Sequence, residues 1–325
     1  MKALLTILVL AMFLVYPCEG PAASKDEFPT KPIQIYIGYP PGGAGDMVAR
    51  VHAPLMSKEL GVPVVLMYKP GGVGGLCAEF IANSKPDGYI IQDGTFGLIA
   101  ARHHVVDTPV KPSDFTFILS HSDFNMAFVV RKDAPWKTFK DWIEYARKNP
   151  AATYGTAGEY STAHIVMEWI LRREKVKVSH IPFSGGGDVL PQVLGGHIDL
   201  MGSSGNHLPL VEAGKLRTLF QWSGEPADAT KVQFLSELYP DFPAPLMDLV
   251  SMPTGLAGPK GMPAPIVQKL ANALKKATTD EGFIKLMKQN KRRIVTWGTE
   301  EAAKRAQMAD DAFAAFLKET GFVKK

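Results

Sequence analysis

Ile33-Gln-Ile-Tyr-Ile-Gly38 runs straight into Tyr39-Pro-Pro-Gly-Gly-Ala-Gly-Asp46, and a stretch with helical spacing follows over residues 47–60. The first six residues alternate and are rich in β-branched and aromatic side chains, which predicts a strand. The stretch after the loop repeats apolar residues on one helical face, with a weak point at Pro54. Strand, glycine turn, helix is the grammar of a βαβ unit on a mostly parallel sheet. The loop itself could hold a phosphate, hold a carboxylate or merely turn a corner.

Outward from that unit the same grammar repeats. Residues 63–68 predict a second strand, Pro70-Gly-Gly-Val-Gly-Gly75 a flexible turn, and residues 76–83 a helix. Residues 89–93 predict a third strand that ends at Gly94-Thr-Phe-Gly97. Further strands are expected at 115–119, 126–131, 153–155, 178–183, 198–201 and 216–222, with helices at 138–148, 161–173, 184–194 and 207–213. Pro240-Asp-Phe-Pro-Ala-Pro245 reads as a connector, and beyond Pro265 helices dominate, over 266–278, 281–289 and 299–320. Two α/β lobes result. One spans 24–127 together with 250–325, and the other 128–249, so the first is discontinuous.

The first 23 residues differ from the rest. Met1-Lys2 is a short basic start, residues 3–16 are nearly all apolar, and the small residues Gly20-Pro-Ala-Ala23 follow. That order predicts a secretory signal peptide cleaved after Ala22 or Ala23, hence an exported, periplasmic protein. The apolar run is too short for a bilayer-spanning helix. Cleavage removes Cys18 and leaves Cys77 alone, so no intrachain disulfide is expected and Cys77 reads as a small buried hydrophobe. A net charge of +4 over 325 residues, with no basic tract denser than Lys291-Arg-Arg293, argues against nucleic acid as a partner.

Three loops share one design, in which small residues lead into a helix N-terminus. They are Pro41-Gly-Gly-Ala-Gly-Asp46, Thr156-Ala-Gly-Glu-Tyr-Ser-Thr-Ala-His164 and Phe183-Ser-Gly-Gly-Gly-Asp188. A helix N-terminus offers unpaired N–H groups, and glycines let a ligand approach them closely, so an anion can be held by amides alone. Ser161, Thr162, Ser184, Ser203 and Ser204 add hydroxyls. A nucleotide site is not supported: no Gly-Lys-Ser/Thr run exists, the glycine spacing is wrong for a dinucleotide, and no acid follows the second strand to meet a ribose. Gly-x-Ser-x-Gly is absent, and Ser161 with His164 and Asp188 makes no recognisable elbow. No zinc spacing occurs, so neither metal nor cofactor is expected. His103, His104 and His121 fall near turns and read as surface or satisfied polar residues. His164 reads either as a partner for its own loop or as a pocket wall. Asp46 reads either as a ligand contact or as an acid that steadies its helix's first turn. An exported two-lobed protein with anion-friendly loops and no catalytic set is a binding protein rather than an enzyme.

At these residues the chain resembles the periplasmic solute-binding components of tripartite tricarboxylate transporters. The resemblance runs through Phe28-Pro-Thr-Lys-Pro-Ile33, Tyr39-Pro-Pro-Gly-Gly with Asp46 and Arg50, Tyr68-Lys-Pro-Gly-Gly-Val-Gly-Gly75 and Pro86-Asp-Gly-Tyr89. It continues through Tyr154-Gly-Thr-Ala-Gly with Ser161-Thr-Ala-His164, His180-Ile-Pro-Phe-Ser-Gly185, Leu194-Gly-Gly-His-Ile-Asp199, Ala213-Gly-Lys-Leu-Arg217 and Gly258-Pro-Lys-Gly-Met-Pro-Ala-Pro265. It implies a bilobed periplasmic binding protein fold of type II, with mostly parallel sheets and a hinge, that closes as a monomer on a small organic carboxylate, a dicarboxylate or an aromatic acid. The membrane subunits of the transporter are the implied partners; a sensor or scavenger without a dedicated transporter is the alternative. Carried over by motif, the ligand contacts are Tyr39, Pro41, Gly42, Gly43, Ala44, Gly45 and Asp46 in one lobe. In the other they are Thr156, Ala157, Ser161, Thr162 and His164, with Phe183, Ser184, Ser203 and Ser204 along the rest of the cleft. Phe96 joins them as a hydrophobic wall. Gly45 replaces a usual hydroxyl residue, and Glu159 and Tyr160 replace small or amide residues, so these two are candidate contacts that disfavour a citrate-like ligand.

Overall fold

The structure is a computed structural model that describes residues 28–105, 108–225, 232–251 and 253–320. The leader and Cys18 lie outside the described residues. The first lobe opens with β1 (Ile33–Ile37), α1 (Ala44–Leu60), β2 (Val64–Tyr68), α2 (Gly75–Ala82), β3 (Ile90–Thr95), α3 (Phe96–Ala101) and β4 (Phe115–Ser122). The chain then crosses over residues 123–126 into β5 (Ala127–Arg131), α4 (Phe139–Lys148), β6 (Thr153–Thr156), α5 (Thr162–Glu174), β7 (Ser179–Pro182), α6 (Gly186–Gly195), β8 (Leu200–Ser203), α7 (Leu208–Glu212) and β9 (Leu216–Gln221). After β10 (Gln233–Phe234), α8 (Leu235–Leu238) and α9 (Ala244–Val250) it returns through β11 (Thr254–Pro259), then α10 (Ala264–Thr278), α11 (Glu281–Gln289) and α12 (Thr299–Thr320).

The strands form two sheets, ordered β2-β1-β3-β11-β4 and β10-β9-β5-β8-β6-β7. In each, one strand runs against the others: β11 is antiparallel to β3 and β4, and β5 is antiparallel to β8 and β9. These are the strands that begin just after the chain crosses between lobes, so each enters its sheet from the hinge side. The remaining pairs are parallel, as helical crossovers require.

Each sheet is covered on both faces. Ile33, Ile35, Ile91 and Leu256 pack against Met56 of α1 and Leu270 and Leu274 of α10. In the second lobe Val129 and Met201 pack on Val189 and Val193 of α6. The largest cluster runs from Phe96 and Phe117 through Phe313 of α12 to Phe128, Trp142 and Tyr154, and so ties the lobes at the hinge. Cys77 is 1% exposed within it, and burial pushes its thiol up to about 12, which leaves it an inert apolar group.

Two sequence expectations need correction. Helix α1 starts at Ala44, with Gly43 as its N-cap, three residues earlier than the periodicity of its apolar face shows. Its first turn contains glycine and has no apolar pattern, because its amides face a cavity rather than a core. His121 lies within β4, fully buried, and not near a turn.

Candidate functional site

A cavity of about 100 Å³ lies between the lobes, and three helix N-termini reach it. Gly43, Ala44, Gly45 and Asp46 bring the start of α1; Ser161, Thr162 and Ala163 that of α5; Gly185, Gly186, Gly187 and Asp188 that of α6. The first N–H groups of a helix have no intrahelical acceptor, and each terminus carries roughly half a positive charge. Thr95, Ser203, Ser204, Ser223, Ser251 and Thr254 also line the space; the Ser203 and Ser223 hydroxyls donate within the protein, to Asn206 Oδ1 at 2.7 Å and to the Phe124 carbonyl at 2.6 Å, whereas Thr254 Oγ1 is buried without a partner. No lysine, arginine or histidine lines it among the described residues.

Asp46 organises the first of these loops. One of its oxygens, Oδ2, accepts from the Gly42 N–H at 2.8 Å and from Arg50 Nε at 2.9 Å. The other accepts from the Tyr68 hydroxyl at 2.6 Å. Burial favours protonation, yet the bonds from Gly42, Tyr68 and Arg50 outweigh it and hold the carboxyl below its ordinary range. Asp46 therefore stays an anion whose charge is consumed by its own loop. The Gly42 amide is consumed with it, and Gly42 does not line the cavity.

The α5 loop is built from neutral groups. Ser161 caps the helix, accepting from the His164 N–H at 3.4 Å, and His164 Nδ1 accepts from the Tyr160 N–H at 2.8 Å. Tyr160 takes a left-handed φ of 60° to make that turn. The His164 ring stacks on His180 with centroids 4.0 Å apart, and burial pushes His164 down to about 3. Burial likewise lowers His180 to about 4, against the opposing carboxylate of Glu159. Thr156 Oγ1 donates to Gly158 O at 2.9 Å and, its one hydrogen so used, accepts from His180 Nε2 at 2.8 Å.

Of the residues expected from sequence, Tyr39, Pro41, Gly43, Ala44, Gly45, Asp46, Ala157, Ser161, Thr162, Ser203 and Ser204 line one cavity. Gly42, Thr156, Tyr160 and His164 stand behind that wall and hold its loops. Phe96 does not reach the cavity: it is fully buried, edge-on to Phe117 at 4.7 Å, behind β11. Phe183 packs into the α6 face of its own lobe, Ser184 is exposed, and Glu159 is exposed near His180. The sequence reading missed Asp93, Gly94 and Thr95 at the end of β3, Phe124 and Met126 in the first crossover, and Ser223, Val250, Ser251 and Thr254 around the second. The strand-ending glycine at position 94 was the available signal for the first group.

Behind the cavity, Asp93 accepts from His52 Nε2 at 2.8 Å and from His121 Nε2 at 3.1 Å, all three buried. Burial opposes ionisation, but His121 and then His52 hold Asp93 well below the carboxylate range. Arg292 is 3% exposed and donates to the carbonyl of Ala44 at 3.2 Å, to that of Asp123 at 2.6 Å and to Ser122 Oγ at 2.8 Å. It thus pins the start of α1 to the first crossover. A second group, His103, His104 and Asp310, meets at the middle of α12, away from the cavity. Both groups could hold a metal ion, which no sequence spacing announced.

The lobes touch along glycines. A Cβ at Gly185 would come 3.2 Å from Pro40 Cδ, one at Gly158 would come 2.6 Å from Val73 Cγ2, and one at Gly187 would come 3.9 Å from the Gly42 backbone. Two lobes, two crossovers and a cavity roofed by their contact define a solute-binding protein.

The family model described as the tripartite tricarboxylate transporter family receptor matches residues 48–321. A UPF0065 protein in the gbd 5'region of Cupriavidus necator is 37% identical over 260 residues, covering 78% of this chain and 77% of that protein. The structure of the periplasmic binding protein BugD superposes with a TM-score of 0.80 at 25% identity, over 91% of this chain and 100% of the other. An R. palustris protein solved with adipate gives a TM-score of 0.81 at 22% identity, over 91% and 99%. The chain belongs to the tripartite tricarboxylate transporter receptor family. It is a periplasmic solute receptor that works with the membrane components of such a transporter, and it carries solute rather than transforming it.

Proposed function

We propose that the cavity captures a small organic carboxylate and that the closed lobes present it to the membrane subunits. The observation that carries this reading is the convergence of α1, α5 and α6 on one space with no basic side chain in its wall. Amide dipoles and hydroxyls there favour a carboxylate without the desolvation cost of a buried counter-ion. At about 10–15 Å³ for each water-sized position, the cavity admits a ligand on the order of ten non-hydrogen atoms or fewer. The adipate in the R. palustris relative is of that size.

Export rests on the leader: cleavage after Ala22 or Ala23 sends the mature chain to the periplasm, and mass spectrometry of the exported protein reads the new terminus. Titration calorimetry at pH 7 against mono-, di- and aromatic carboxylates tests the binding. Micromolar or tighter heats with at least one class are expected. Absence of heat and of thermal shift with every member would sink the reading.

A further inference from the structure

A smaller cavity of about 40 Å³ adjoins the first. Tyr39, Asp93, Gly94 and Thr95 line both, and a Cβ at Gly94 would meet no atom within 4 Å, so the strand end between them is open. Unlike the main cavity, this one has a base in its wall. Arg102 lies over the glycine turn before α2, where a Cβ at Gly75 would come 2.1 Å from its Nε. Among the described residues its guanidinium makes one hydrogen bond, to the Val73 carbonyl at 3.3 Å, and no carboxylate lies within ion-pair distance. Burial pulls its pKa down, against Tyr39. A half-buried guanidinium with five donors and one long bond is poorly satisfied. Beside it Gln92 is 3% exposed, lines the same space, and its Nε2 is buried without a partner. The remaining polar side chains are the hydroxyls of Tyr39, Thr95 and Thr108 and the carboxylate of Asp93, both of whose oxygens already accept from histidines.

We infer that this smaller cavity seats a second carboxylate, so that the ligand is a dianion spanning both spaces with Arg102 as its charged partner. The inference rests on the carboxylate reading above and narrows it. Room for about three water-sized positions matches one carboxylate group. The division of labour is chemical: one end of the ligand meets amides and hydroxyls, the other a guanidinium able to grip both oxygens. A monocarboxylate or an uncharged far end would leave Arg102 and Gln92 unpaired.

Calorimetry with matched pairs tests this: glutarate against its mono-amide, and adipate against its mono-amide. The dianion of at least one pair is expected to bind about 10–100-fold tighter. In Arg102→Gln that ratio should fall to about one. Gly94→Val, which fills the junction and leaves Arg102 in place, should lower the same ratio while thermal melting shows a folded protein. Equal affinities in the wild type, or an unchanged ratio in Arg102→Gln, would overturn the dianion assignment while leaving the carboxylate reading intact. Silence with every acid would overturn both.

Discussion

The loops that open α1 and α5 do the same work with opposite electrostatics. Before α1, an ionised Asp46 gathers a backbone amide, a phenol and a guanidinium. Before α5, a hydroxyl cap and a stack of two imidazoles, both depressed by burial, do so at neutral pH without formal charge. In both, side chains that looked like ligand contacts are occupied in fixing the loop, and the amides of the first turn are what remains for a ligand. A pre-set amide cradle needs its supports tied off first.

The strongest way to break this equivalence is Asp46→Ala. It removes three hydrogen bonds to a buried anion, and a loss of about 2–4 kcal/mol is expected, with ligand affinity down more than tenfold. Denaturant melts and calorimetry on the same sample read both. His164→Ala removes the acceptor of the Tyr160 N–H and a stacked ring, for about 1–3 kcal/mol; a cost equal to that of Asp46→Ala would show that charge adds nothing.

Acid should separate the loops. His164 and His180 titrate near 3 and 4 when folded, below the ordinary value of about 6.5, so the unfolded chain takes up protons first. Their stabilisation is therefore lost as pH falls from about 6.5 towards 4, by up to about 1.4 kcal/mol per pH unit for each ring. Asp46 is also depressed, but from a lower ordinary value of about 3.9; it keeps its contribution down to that pH and loses it only as pH drops through the folded value. Four of the five tryptophans, at 136, 142, 169 and 222, lie in the α5 lobe. Their fluorescence should thus change between pH 6 and pH 4 in the manner of local loosening, at roughly the pH window set by the imidazoles. A flat signal over that window would contradict the neutral-stack account. The smallest effect is expected from Arg50→Ala. Arg50 is 58% exposed, and losing its screened pair with Asp46 should leave the denaturant midpoint almost unchanged.

Much of this was legible in residue order. β1, β2 and β3 and their glycine turns follow from alternation and from small residues before helices, as does the pairing of the α1 and α5 loops. β11 was not legible: Thr254-Gly-Leu-Ala-Gly-Pro259 contains two glycines and a proline, which speak against a strand, and it is held by neighbours on both sides. Ser223, Ser251 and Thr254 were missed for a related reason. Ser251 and Thr254 reach the cavity because the chain crosses between lobes there, and Ser223 because β9 ends beside the first crossover, its hydroxyl donating to the Phe124 carbonyl; neither place leaves a periodic trace. His52, Asp93 and His121 lie on three different elements, so only the fold joins them.

The glycine seam between the lobes has a kinetic meaning. Pro40 faces Gly185, Val73 faces Gly158, and Gly42 faces Gly187, so a ring, a methyl group or another glycine meets bare backbone. Surfaces of that kind part without any side chain changing rotamer, and few side chains lose freedom when they meet. The seam then adds little to the barrier for opening. Residence time is left to the solute's own contacts, which suits a courier that must let go as readily as it takes hold.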